Sequence, residues 1–250
     1  MIEERFAYGS SMLHRADPKM KIIGVTALAL ILAVSPSFKV IYIGLALGTL
    51  LTLSARLQLF YVFKHLASVN VFIIFLWFVL PFTGGTEVTS HLGPLPVYAN
   101  GVELAHRITV KANAITLLII ALLTTSPVQR LGRGLQQLGA PRKLTVLLLT
   151  SFRYLGVIHQ EYLRLRRAAN LRSFTPATNL HTYRTFSYLV GMTLVKSYER
   201  AKRVHNAMIM RGFNGTFPVL NVSVTKPGDY ILAIVLVSLA LFLTILSYLP

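Results

Sequence analysis

The chain is 250 residues long, 54% apolar and only 13% charged, with a mean hydropathy of +0.61. That balance excludes an ordinary soluble domain and places the chain among membrane proteins. It has no cysteine, so a disulfide framework and a thiolate metal site are both ruled out. The net charge of +17 and pI near 10.5 invite a nucleic-acid reading. In a membrane protein, however, retention of Lys and Arg on the cytoplasmic side explains such a surplus first.

A transmembrane helix needs about 20 largely apolar residues to cross a hydrocarbon core of about 30 Å. Four stretches qualify in the first half, at 22–34, 40–53, 66–82 and 108–125, and one near the end, at 230–248. The first two are short and form a helical hairpin through Ser35-Pro36-Ser37, because Pro36 lacks the amide hydrogen of a continuing helix. Lys19 and Lys21 before the first run could open a cleaved signal peptide, but the second run follows at once and the hairpin reads better.

Loop charges set the orientation. Arg5, Arg15, Lys19 and Lys21 precede the first span, and Arg56 and Lys64 separate the second from the third. The opposite side receives Lys39 and a Gly/Pro-rich loop at 84–106 that carries Glu87 and Glu103. The positive-inside rule then puts the N-terminus and the segment after the fourth span in the cytoplasm, and the C-terminus outside. The expectation is an all-α, multi-pass protein of the cell inner (plasma) membrane. It has about five spans: four within 1–125, a cytoplasmic insertion at 126–228, and the last span in 229–250.

The insertion concentrates the charge. Residues 126–226 hold sixteen Lys and Arg, ending at Lys226, against only Glu161 and Glu199, which leaves +14 of the chain's +17. Ser126-Pro127 is an N-cap followed by proline at the first helical position, and Val128, Leu131, Leu135 and Leu138 recur at helical spacing until Gly139 and Pro141. This short amphipathic helix, with Arg130 and Arg133 on its wetter side, suits the lipid interface. A second helix runs from about Arg142 to Arg172, stopped by Ser173 and Pro176, and a third from a cap at Thr178 or Asn179 to Arg211-Gly212. Two long crossed helices, apolar at the start and basic at the end, are expected.

Within the second helix, 144–158 is apolar enough to be taken for a sixth span. It is short, and Arg153 at its middle costs roughly 2.5–3.5 kcal/mol against about −0.3 to −0.6 for each aliphatic residue. It reads as a helix buried against the membrane domain.

The two helix ends are alike: Arg167-Ala-Ala-Asn-Leu171-Arg172-Ser173-Phe174 and His205-Asn-Ala-Met-Ile-Met210-Arg211-Gly212-Phe213. One explanation is purely structural, since a basic last turn answers the helix dipole and a following Gly stops the helix. Two such ends in one basic insertion point to paired contacts on a partner instead. Arg167 and the Glu199–Arg203 pair, spaced i,i+4, support that surface.

Three stretches resemble CbiQ, the transmembrane (T) component of energy-coupling factor transporters, a branch of the ABC importers. They are Leu13-His14-Arg15-Ala16-Asp17-Pro18-Lys19-Met20-Lys21, then Ser151-Phe152-Arg153-Tyr154, then Ser197-Tyr198-Glu199-Arg200-Ala201 running into Met208-Ile209-Met210-Arg211-Gly212-Phe213-Asn214-Gly215. The resemblance covers almost the whole chain, and its last stretch is the most specific. It implies two coupling helices, each ending in an Ala-Arg-Gly motif whose Arg docks on an ATPase. The matching positions are Leu171-Arg172-Ser173 and Met210-Arg211-Gly212, in which Leu171, Met210 and Ser173 depart from the pattern. The resemblance further implies two ATP-binding ATPase subunits, a substrate-binding S component (CbiM-like) and a small accessory subunit (CbiN-like). The opening Met1-Ile2-Glu3-Glu4 and the stretch from Tyr183 are similar to T components of cobalt systems; nickel and vitamin systems are relatives.

No G-x-x-x-x-G-K-[ST] occurs, so ATP binding through a P-loop is not expected here, and ATP hydrolysis falls to the partners. Leu131-Gly132-Arg133-Gly134 is only a pair of glycines in an amphipathic helix. No cofactor is expected. His14 and Asp17 either hold a metal at i,i+3 or organise the start of the first helix, and His159, His181 and His205 read as polar surface. The apolar spans contain Asn70 and Asn113 but no acid, which disfavours an intramembrane enzyme. A rival of another class is a tethered module for anionic lipid or nucleic acid. Its binding would fall steeply with salt, whereas a coupling subunit would keep its ATPase through salt washes.

Overall fold

The computed structural model describes Gly9 and residues 11–83, 88–92, 95–213 and 227–248. Residues 1–5, Glu87, Asn214, Gly215 and Lys226, named above, lie outside the described residues. The chain divides into two compact units, one around two long basic helices and the other containing everything else described.

The larger unit starts with a short helix α1 (Met12–Arg15) and α2 (Pro18–Val34). Asp17 is the N-cap of α2: its side chain accepts the Lys19 amide at 3.0 Å, and Pro18 occupies a first-turn position where a missing N–H costs nothing. Asp17 therefore organises the helix start, the second of the two roles left open for it. After the expected break at Ser35-Pro36-Ser37 come α3 (Phe38–Ser54) and α4 (Leu59–Thr83). A small antiparallel hairpin follows, β1 (Val88–Leu92) with β2 (Leu95–Tyr98), pairing Leu92 with Leu95 and His91 with Pro96. Then come α5 (Ala99–Leu122), α6 (Val128–Gln137) and, at the end, α9 (Pro227–Tyr248).

The all-α membrane architecture holds, with one small hairpin in a connection between helices. The hairpin occupies 88–92 and 95–98 of the stretch read as a loop at 84–106, where Val, Thr, Leu and Tyr favour extended backbone, and the end of that stretch, from Ala99, is already helix α5. The helices α4, α5 and α9 are long and apolar enough to cross a membrane. The shorter α2 and α3 have 17 residues each, or about 25 Å of rise. In α6, Pro127 stands at the cap, one place earlier than Ser126-Pro127 suggests.

The core of this unit is made by Leu28 and Leu32 of α2, Val40 of α3, Leu118 and Leu122 of α5 and Leu243 of α9, all without exposed surface. Close approach depends on glycine. A Cβ on Gly48 would stand 2.9 Å from Leu117 Cβ and 3.3 Å from the Ala114 carbonyl, and one on Gly44 would meet Leu32. Small residues four apart are a common way for helices to pack without a hydrophobic driving force between them. Between α4 and α5, Asn70 and Asn113 exchange side-chain amide bonds at 2.9 and 3.1 Å, and each also donates to the carbonyl four residues earlier. Both amides are thereby satisfied within the spans.

The helix α6 belongs to this unit, whose first stretch ends at Leu138. Its Gly134 sits so close to the first turn of α2 that a Cβ would be 3.0 Å from the Lys19 nitrogen. The second glycine of the pair in α6 thus serves packing.

The smaller unit consists of α7 (Arg142–Leu171) and α8 (Leu180–Met210). Asn179 caps α8, accepting the Thr182 amide at 2.8 Å. Within this unit the apolar first half of α7 leaves Leu144 60% and Leu147 61% exposed.

Candidate coupling site on the basic helix pair

In a segment with sixteen cations and two acids, one acid organises the pair. Glu161 of α7 has only 10% of its side chain exposed and holds three cations. Lys196 of α8 donates to its Oε1 at 2.9 Å; Arg200 of α8 and Arg164 of α7 reach Oε2 at 3.5 and 3.4 Å. The hydrogen bond from Lys196 holds the Glu161 carboxyl below the usual carboxylate range; partial burial opposes this, and the charges of Lys196, Arg164 and Arg200 add to it. Beside this junction an open groove of about 490 Å³ is lined by Leu155, Ile158, His159, Tyr162, Val190 and Leu194.

Beyond the junction the helices run to two tips, about 16 Å further along α7 to Arg172 and about 22 Å along α8 to Arg211. The tips share one geometry. At the end of α7, Arg172 is the C-cap, Ser173 takes φ +63°, the Ser173 amide donates to Asn170 and the Phe174 amide to Ala169. At the end of α8, Arg211 is the C-cap, Gly212 takes φ +78°, the Gly212 amide donates to Ile209 and the Phe213 amide to Met208. Both are Schellman endings, in which the two amides past the cap satisfy the last carbonyls. Ser173 departs from glycine in residue type but adopts the same left-handed backbone.

This ending gives each tip one long apolar residue and one cation. Leu171 and Met210 are 88% and 91% exposed, the most open large apolar side chains among the described residues. Arg172 and Arg211 are exposed, and among the described residues neither makes an ion pair. A bare guanidinium beside a bare aliphatic chain is expensive only for the apolar part, and both groups are suited to a partner's groove. The first tip is braced: Phe174 packs edge-on to Phe186 at 5.9 Å, and Thr182 accepts the Ala177 amide.

The supporting residues are less organised. Glu199 and Arg203 pair at 3.8 Å on an open face, and Arg167 donates to its own helix at the Leu163 carbonyl. Sequence reasoning missed the part played by Glu161, although its signal was available: one of two acids among so many bases. Among the described residues no group of three His, Asp or Glu is placed to hold a metal.

Among the described residues, three helices long and apolar enough to cross a membrane define the class, a membrane protein. The chain belongs to the CbiQ family, described as cobalt transport protein, whose model matches residues 9–221. Among its relatives, the energy-coupling factor transporter transmembrane protein EcfT of Brevibacillus brevis is 26% identical, covering 84% of this chain and 84% of its own. The cobalt transport protein CbiQ of Rhodobacter capsulatus is 24% identical over 90% of this chain and 88% of its own. The nickel permease LarQ of Lactiplantibacillus plantarum is 37% identical over a shorter stretch, 37% of this chain and 33% of its own.

Proposed function

We propose that this T component couples ATP hydrolysis by two partner ATPases to cobalt ion uptake through a substrate-binding membrane subunit and a small accessory subunit. The N-terminus and the basic helix pair face the cytoplasm. The observation that carries this reading is the matched pair of tips, Leu171-Arg172-Ser173 and Met210-Arg211-Gly212, with the same Schellman ending and an exposed apolar residue before each cation.

A guanidinium stays charged at any physiological pH and offers donors in a fixed fork, so it can bind a carboxylate bidentately in a groove. Leu171 and Met210 add apolar area beside each fork. When nucleotide draws the two ATPases together, the tips move with them, and the Glu161 junction makes α7 and α8 respond as one lever. The lever then moves the substrate-binding subunit. The transported ion is substrate and needs no site in this chain.

Arg172→Ala and Arg211→Ala test it in the assembled complex. A charge-assisted bond is worth about 1.5–3 kcal/mol, so each change should slow uptake by at least about tenfold. Unchanged uptake with the complex intact would remove the proposal. Nickel is the second reading, favoured by the similarity to the nickel permease. Competition of each ion against labelled uptake of the other separates the two.

A further inference from the structure

Among the described residues Lys21 is the only Lys or Arg that is buried, with 0% exposure. The coupling reading leaves it without a role. Its Nζ donates to Ser126 Oγ at 2.7 Å and to Thr125 Oγ1 at 3.1 Å. Those two residues form the corner between α5 and α6. The Thr125 hydroxyl in turn donates to the Ala121 and Leu122 carbonyls, so the ammonium is tied to the last turn of α5. On the other side of the corner, Gly134 brings α6 against the Lys19 backbone. The Asp17 amide donates to the Asp229 carboxylate at 3.2 Å, joining α9 to the same first turn of α2.

Packing does not account for a lysine here. An ion loses several kcal/mol of hydration when buried, and an apolar residue of similar volume is often neutral or better at such positions. Met would fill the space. What Lys21 supplies, and Met would not, is directional bonding to both residues of the corner through which the chain leaves α5, passes along α6 and enters α7.

We propose that Lys21 is a positioning residue of the transport cycle. It locks the α5–α6 corner to α2, so that movement delivered along the chain turns the membrane helices together and does not bend the corner. This rests on the coupling reading, and the test separates the two.

Uptake and ATP hydrolysis are measured on the same proteoliposomes holding the assembled complex, using labelled cobalt. For Lys21→Met, hydrolysis should stay within about twofold, while uptake per ATP falls by at least about tenfold, the loss expected from even one of the two ammonium bonds. Ser126→Ala, which removes only one acceptor, should lower the ratio by a smaller factor, and Lys21→Arg should restore part of it. An unchanged ratio in Lys21→Met overturns the proposal. Should that variant fail to assemble, Ser126→Ala decides, and an unchanged ratio there overturns it equally. Arg211→Ala runs alongside: if it alone is impaired, only the role of Lys21 falls, and if it too is unaffected, the coupling reading falls first.

Discussion

The two units of the chain hold themselves together in opposite ways. The membrane unit encloses leucines and valines completely and brings helices to glycine distance. In the α7–α8 pair the buried residues are Thr145, Glu161, Thr182, Leu189 and Thr193, while leucines, tyrosines and methionines stand exposed. The first unit is a packed body. The second is two rods joined at a charged junction; both units expose apolar side chains, but only the first also encloses an apolar cluster.

The largest expected effect would strike the packed body. Gly48→Val puts side-chain atoms where Leu117 and the Ala114 carbonyl already stand. Overpacking of this kind costs about 1–3 kcal/mol, read as a lowered Tm in detergent. The same change at Gly191 of α8, where a Cβ meets nothing within 4 Å, should leave Tm almost unmoved. Equal losses at both sites would erase the contrast between body and rods.

The junction comes next. Glu161→Gln leaves Lys196, Arg164 and Arg200 facing one another, so the rods should separate. Spin labels at 170 and 207 would report a broader distance distribution than in the unsubstituted chain. Because the Glu161 carboxyl is held below its ordinary value by Lys196, its contribution is complete above the unfolded value of about 4.3. It is lost as pH falls through the lower folded value. The distance distribution should therefore hold at pH 5 and broaden only in stronger acid; broadening between pH 7 and 5 would contradict the junction.

The tips permit a finer comparison. Ser173 at φ +63° carries the left-handed penalty that Gly212 avoids. Ser173→Gly should stabilise the end of α7 by about 1 kcal/mol, and Gly212→Ala should weaken the end of α8 by a similar amount. Hydrogen exchange of the Phe174 and Phe213 amides measures each ending. If neither moves, the positive φ is not what shapes these tips. The smallest effect belongs to the surface pair: Glu199→Gln should cost no more than about 0.5 kcal/mol in thermal melting.

Much of this was legible in the chain. The breaks at Ser35-Pro36-Ser37, at Gly139 and at Ser173, and the Asn179 cap, mark helix ends through local backbone chemistry that needs no tertiary neighbour. Apolar run length marked the spans, because lipid imposes a length on any helix that crosses it. The similarity of the two tips could be read as well, since a Schellman ending is built from residues within one turn. Glu161 and Lys21 were different. Both were seen as charges, yet their partners lie 35 and 104 residues away along the chain. The Asn70–Asn113 pair and the approach of α3 to α5 at Gly48 are of the same kind. Sequence by itself determined the long helices and their membrane character, because those follow from hydrogen bonding and hydration within a few residues; α4 and α5 nonetheless start at Leu59 and Ala99, before the apolar runs that marked them at 66 and 108. Which buried charge met which partner, and which glycine became a contact, was decided only when the helices packed, because burial and geometry in three dimensions set the energy of an ion or a close approach.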